Sequence, residues 1–449
     1  MGASDTVGVD DYALARVPSA ARYSWWSIAV QRFGQISALS QFLLGATLGF
    51  GMSFGGALLA LTLGSVILEV VAIFLGVIGV REGLSTSMLA RWTGFGRAGS
   101  ALIGLVIGIS LIGWFGIQSA VSAQGLVALV GGLPEWGWAL VFGLLVTAIV
   151  VRGFHSMAWT AYLTVPAFLA LVAWSVTAEL TKHDLGELAT QAAPGPQLSL
   201  VQGTTLVAGG FIVGAVISPD MTRFNRSTAD VVKQTLVGVT LGEYVIGLAG
   251  VLLAHAIGSA SVTTIVTSSV GWVGTLVIVL GTLKINDWNL YSAGLGVVNF
   301  VGTVFGRQVN RGVVTAVLGV AGSVLAAAGI LDSFTDFLTL LGVAFPPIVG
   351  VLVAEYFLVR RWRGELERGR SSGALPASAP TWVPATLVVW VLAALVGRFV
   401  HIGLGSINSL VVAFVLYLVA GKLGLVRGVG TSPTEGPDRT SVSAPAAAH

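Results

Sequence analysis

The stretch QRFGQISALSQ, residues 31–41, decides how this chain is read. It falls in the middle of a long apolar run, 27–52, and sets Gly34, three glutamines, two serines and Arg32 where a membrane helix would carry hydrocarbon. A helix interrupted there frees carbonyls and amides from its ladder. At membrane depth such groups persist only where they line a cavity or contact protein. A counterpart, LVAGGFIVG at 206–214 with Gly209 and Gly210, lies five spans further on. Five is odd, so the second set of five spans enters the membrane in the opposite sense. Paired interruptions in inverted halves predict a binding site near the midplane. The plainer reading, that these glycines only let helices approach closely, applies to most of the 60 in the chain.

The setting is unambiguous. Of 449 residues, 55% are hydrophobic and 10% charged, and the mean hydropathy is +0.89. That composition requires lipid as solvent. Runs long enough for a hydrocarbon core of about 30 Å occur at 27–52, 54–80, 98–129, 134–152, 156–180, 200–217, 232–258, 271–300, 312–330, 334–358, 382–400 and 403–422, which predicts an all-α integral membrane protein of twelve transmembrane helices. The even-numbered connections carry fourteen Lys or Arg, among them Arg81, Arg152, Arg223 and the RRWRGELERGR cluster at 360–370. The odd-numbered ones carry only Lys182 and Arg398. Positive charge stays inside, so both termini are expected in the cytoplasm and the 360–370 cluster is read as a topology anchor. No short apolar core with a small-residue cleavage site precedes the first span, so no removable signal peptide is expected. The chain is thus divided into an N-terminal segment (1–26), one repeat (27–180), an inverted repeat (200–358), two further helices (382–422) and a disordered tail (427–449). With no cysteine, disulfides, thiolate metal sites and a cysteine nucleophile are excluded. Five histidines without an HxxxH pair, and no nucleophile elbow, argue against an intramembrane enzyme. Broken helices favour occlusion over a continuous channel. No cofactor, metal, nucleic acid or obligatory protein partner is expected beyond the bilayer and a small-molecule substrate.

In span 3, Trp114, Gln118 and Ser122 share one stripe at i, i+4 and i+8. A ring beside an amide suits a planar heterocycle that stacks and offers a mixed hydrogen-bonding edge. Packing of Trp114 and a backbone bond from Gln118 are an equal reading. Span 8 contains TLKINDWNLYS, 282–292. At 100° per residue Lys284, Asp287 and Tyr291 share one side while Asn286 and Asn289 fall roughly opposite. Ionisable groups within a span face a pathway or pair with each other. Lys284 and Asp287, at i and i+3, form either a structural ion pair or part of a transport route with Asp287 as a proton site. Arg32 and Glu355, near span ends, are expected to snorkel. Glu69 and Glu243 sit deeper, as proton carriers or as neutral hydrogen-bonded acids.

Taken together, VPSAAR…GATLG, GWFG, AGGFIVGAVISPDMTRF and NDWNLYSAGLG resemble the nucleobase:cation symporter family one, the purine-cytosine permeases, nearest its bacterial cytosine permeases. The resemblance runs in order over nearly the whole chain. It implies a LeuT-like fold of two inverted five-helix repeats, with broken helices 1 and 6, plus two extra helices. It also implies secondary active import of a nucleobase across the plasma (inner) membrane, cytosine first and purines second, with a hydantoin, allantoin or vitamin-like heterocycle as the alternative. By position, Trp114 and Phe211 resemble the rings that sandwich the base, with Gly210 beside it. Gln118 and Asn289 resemble amides that read its edge, with Gln41 and Asn286 as further candidates. The span 1 carbonyls that hold sodium in coupled relatives correspond to Gly34 and Ser37. Their two span 8 hydroxyls correspond to Lys284 and Ile285, which supply a positive charge and no oxygen. The expectation is therefore sodium-independent transport with a proton as coupling ion, through Lys284, Asp287 or Glu243, the ammonium standing in the vacated position against the span 1 carbonyls. The cytosine permeases' span 3 glutamine and span 1 phenylalanine correspond to Leu111 and Ala38.

Overall fold

The computed structural model describes Tyr12 and residues 14–151 and 158–434; Arg152 and the tail from residue 435 lie outside the described residues. The first long apolar run forms two helices, α1 (Trp25–Ile36) and α2 (Leu39–Gly51). Between them Ser37 takes φ −69° and ψ 65° and Ala38 is extended at φ −131° and ψ 165°. With Ala38 N donating to Ile36 O at 2.6 Å, Ser37 is the centre of an inverse γ-turn. The interruption predicted at Gly34 is thus real but displaced by one turn. Gly34 itself is helical, and a methyl group there would meet nothing within 4 Å.

Helix α3 (Phe54–Glu82) starts on a Ser53 cap, whose side chain accepts from Gly56 N, and ends at Gly83 with φ 65°, the left-handed turn that glycine adopts without strain. A short α4 (Thr86–Ala90) leads to α5 (Gly96–Leu129), followed by α6 (Glu135–Val151), α7 (Ala158–Leu180) with Pro166 inside it, and a surface turn, α8 (Leu185–Thr190). Helix α9 (Leu200–Val216) opens with a full capping box of Ser199 and Gln202 and stops at Ile217, after which Pro219 begins the short α10 (Ser218–Thr222). The second break is therefore at Ile217. Gly209 and Gly210, where it was expected, are helical, and their missing side chains serve close packing. A methyl on Gly209 would overlap the Leu338 carbonyl, and one on Gly210 would sit 3.0 Å from Leu44 Cδ2.

Helix α11 (Thr228–Ile257) is followed by α12 (Val262–Phe305), in which Gly271 (φ 69°, ψ −156°) divides a short leading segment from the long span. Then come α13 (Arg311–Ala327), α14 (Phe334–Ala344), α15 (Pro346–Ala354), α16 (Arg363–Ser372), α17 (Pro384–Phe399) and α18 (Gly405–Lys422). Six helical stretches are long and apolar enough to cross a membrane by length and composition: α3, α5, α11, α12, Ile330–Val359 and α18. Shorter apolar helices occupy the other six predicted runs. Strands β1 (Ser378–Trp382) and β2 (Val429–Pro433) pair antiparallel. The disordered tail expected from Arg427 is therefore corrected over its first part, where residues 429–433 close a small sheet over Trp92, whose indole donates to Ser378 O at 2.9 Å. Two seams position the site. Helix α5 lies along α12 and α11 lies along α1 and α2. Both approaches use glycine against backbone, with Gly296 facing Gly104 O and Gly250 facing Phe42 O, each 2.5 Å from where a methyl would be.

Candidate functional site

The stripe read from span 3 exists on α5. Trp114 is buried, in edge-on contact with Phe337 at 5.3 Å and Phe334 at 6.1 Å, both from α14. One turn on, Gln118 is 3% exposed, and its Oε1 accepts no hydrogen bond. Burying an amide oxygen without a donor costs roughly 1–3 kcal/mol, which marks a place where a donor can arrive. Ser122, the third member, is committed elsewhere, because its hydroxyl is bonded to Thr282 of α12.

Phe211 on α9 is half-buried and lies over Gly214, where a side chain would collide with the ring. The rings that meet Trp114 edge-on are Phe334 and Phe337 of α14. Phe334 and Phe337 were not among the sequence candidates. The visible signal was the pairing of FTDF with the start of an apolar run, which carries no polar mark.

On α12 the two asparagines face α5. Asn286 Nδ2 donates to Phe115 O and to Ser119 Oγ, each at 3.0 Å, and Asn286 Oδ1 accepts from Asn289 Nδ2 at 3.2 Å. Both protons of Asn286 and an acceptor site are thus used between the helices. That makes it a strut, whereas Asn289, 7% exposed, keeps its carbonyl oxygen out of these bonds. On the other side Lys284 and Asp287 pair as the spacing predicts. The ammonium donates to Oδ1 at 3.3 Å and to Oδ2 at 3.2 Å, with side chains 16% and 3% exposed. Tyr291 follows on that side, under the Arg311 guanidinium at 4.8 Å. At the hinge, Ser37 Oγ is buried with no hydrogen-bond partner, so the Lys284 ammonium does not bond that hydroxyl.

The hinge is held from α11. Glu243 is fully buried and its Oε2 accepts from Gln41 Nε2 at 2.6 Å, one turn beyond the break. Its Oε1 has no partner. Before the break, Arg32 is 0% exposed. Its Nε donates to Gln234 Oε1 at 3.0 Å and a terminal nitrogen to Ser218 Oγ at 2.8 Å, next to the second break. Arg32 therefore does not snorkel, and neither does Glu355, which is buried and accepts from Tyr417 Oη at 3.0 Å and Trp362 N at 3.2 Å. Both were expected at the surface because they lie near span ends, but each is surrounded by donors or acceptors from other helices. Glu69 accepts from Thr240 Oγ1 at 2.6 Å.

A twelve-run helical membrane protein with an interrupted first helix, a second interruption five spans on, and an aromatic ring beside an unpaired buried amide has the anatomy of a secondary transporter of the LeuT-like class. Residues 16–424 match the family described as permease for cytosine/purines, uracil, thiamine, allantoin, and the chain belongs to this family. It is 31% identical over 357 residues to the cytosine permease of Escherichia coli K12, covering 78% of this chain and 82% of that one. It is also 23% identical over 365 residues to the hydantoin permease of Microbacterium maritypicum, covering 76% and 72%. Among solved structures, the inward-facing conformation of Mhp1 superposes with a TM-score of 0.77 at 19% identity, covering 96% of this chain and 100% of that one. The fold, a multi-pass membrane transporter, and the nucleobase-like class of substrate follow. The protein is a permease and not an enzyme.

Proposed function

We propose that the protein imports a neutral planar nucleobase, cytosine first and purines second, across the plasma membrane with both termini in the cytoplasm. The base stacks on Trp114, with Phe211 closing from α9 beside Gly210, and Gln118 and Asn289 read its polar edge. The observation that carries this reading is the unpaired Gln118 Oε1 one turn from the Trp114 ring. An exocyclic amine or ring N–H supplies the missing donor, and the base supplies the flat face. Gln41 and Asn286 shape the site through Glu243 and α5 and do not read the base directly. Hydantoins and allantoin present a comparable edge, and the 23% identical hydantoin permease keeps them as the second reading.

Coupling is assigned to protons. Lys284 brings a fixed cation and its partner Asp287 to the part of span 8 where sodium-coupled relatives carry hydroxyls, and an ammonium repels a metal ion. Glu243, fully buried and tied to Gln41 just past the hinge at Ser37, is the group placed to link proton binding to movement of helix 1. Equilibrium binding of cytosine, adenine and a benzylhydantoin to purified wild type and Gln118→Leu tests the reading. Cytosine binding tenfold weaker or worse in the variant, from roughly 1.4 kcal/mol for one satisfied amide, is expected. Equal affinity in both proteins would remove Gln118 from the site.

A further inference from the structure

Away from the substrate site, α3, α15 and α18 line an apolar groove of about 370 Å³ on the membrane-facing surface. Every side chain lining it is apolar, with Val70 and Phe74 from α3, Val353 and Phe357 opposite, and Val411 and Phe414 from α18. At one end the chemistry changes abruptly. The Phe74 ring meets the Phe357 ring at 6.4 Å, and the Arg81 guanidinium lies 6.0 Å from the Phe357 centroid. A turn of π-helix, Glu355–Val359, then ends on Arg360 in the left-handed conformation at φ 58°. This geometry turns Arg360 back so that its Nε donates to Phe357 O at 2.8 Å. Two exposed guanidiniums are thus anchored on one groove-lining residue.

The surrounding charges leave this pair unneutralised. Glu82 is buried and taken by Arg16, Arg370 and Tyr356. Glu355 is bonded to Tyr417 and Trp362, and Glu367 is paired with Arg363. Among the described residues no carboxylate pairs with Arg81 or Arg360. A hydrocarbon slot that opens on two cations matches one membrane component, a lipid with an acyl chain and an anionic head.

We propose that this groove is a site for an anionic phospholipid, one acyl chain lying along Val70, Phe74, Val353 and Val411 and the phosphate resting between Arg81 and Arg360. Its occupant joins α3, which packs on α9 and α11, to α15 and α18, so the lipid bridges helices from both halves of the fold. Guanidinium forks suit phosphate oxygens, and the acyl chain fills volume that would otherwise hold loosely ordered hydrocarbon.

The test uses full-length protein in phosphatidylcholine bilayers carrying a trace of phosphatidylglycerol or phosphatidylcholine, spin-labelled on the acyl chain. The motionally restricted fraction is read by electron paramagnetic resonance. Wild type is expected to retain phosphatidylglycerol preferentially, by on the order of fivefold per guanidinium, from roughly 1 kcal/mol for each basic side chain at an anionic surface. Arg81→Gln with Arg360→Gln should bring it to the phosphatidylcholine level, the double lysine variant should keep most of the preference, and Val411→Trp should displace the restricted chain. No preference in wild type, or a preference unchanged in the double glutamine variant, overturns the proposal. The chain has no cysteine, so Val411→Cys offers a second arm. A disulfide between two chains in the bilayer would show that a second copy covers the groove and would equally overturn it.

Discussion

The two polar seams of this molecule are built to opposite standards. Where α5 meets α12, the buried groups are spent on each other. Asn286 bonds Phe115 O, Ser119 and Asn289, and Ser122 bonds Thr282. Where α11 meets the interrupted first helix, three buried atoms have no partner: a terminal nitrogen of Arg32, Ser37 Oγ and Glu243 Oε1. Saturated polar contacts fix one geometry, while unsatisfied ones are costly and exist where a ligand, a proton or a second conformation completes them. The first seam is a frame and the second a hinge. Gln118 Oε1 is the exception on the frame, and it is the atom assigned to substrate.

The largest effect should come from the frame's face to the substrate. Trp114→Ala is expected to abolish saturable uptake, since stacking of a base on an aromatic ring contributes about 1–3 kcal/mol. Unchanged affinity in a binding assay would return Trp114 to mere packing against Phe334 and Phe337. Asn286→Leu comes next and separates strut from reader. Loss of three buried bonds, at roughly 0.6 kcal/mol each inside a membrane, should lower the melting temperature in detergent. The surviving folded protein should bind cytosine with little change. If instead stability holds and binding fails, Asn286 touches the base.

The hinge should answer to pH and not to affinity. Glu243→Gln preserves a polar partner for Gln41 but cannot release a proton, so the uptake rate should lose most of its pH dependence while equilibrium binding persists. A wild-type pH profile in this variant would leave proton coupling without its carrier. Lys284→Ala is expected to act more weakly, shifting the pH profile by freeing Asp287. If neither rate nor profile moves, the Lys284–Asp287 pair is structural.

What the sequence made legible follows the same division. Hydropathy located all twelve apolar runs, and the helical spacing alone paired Lys284 with Asp287 and aligned Trp114 with Gln118. The breaks were found in the right spans but assigned to the wrong residues. Glycine can leave a helix, yet in a membrane it more often lets backbones touch, as Gly209 does at Leu338 O. The breaks fall at Ser37–Ala38 and before Pro219, where a γ-turn and a missing N–H end the ladder. The partners of Trp114 and the burial of Arg32 and Glu355 depend on helices far apart in the chain. No local pattern encodes those contacts.

The central claim is that a nucleobase crosses with a proton and without sodium. Purified protein in liposomes, loaded separately with sodium and proton gradients and supplied with labelled cytosine, measures it directly. Uptake driven by an inward proton gradient and indifferent to replacement of sodium by choline is predicted. Accumulation that follows the sodium gradient and ignores the proton gradient would contradict it.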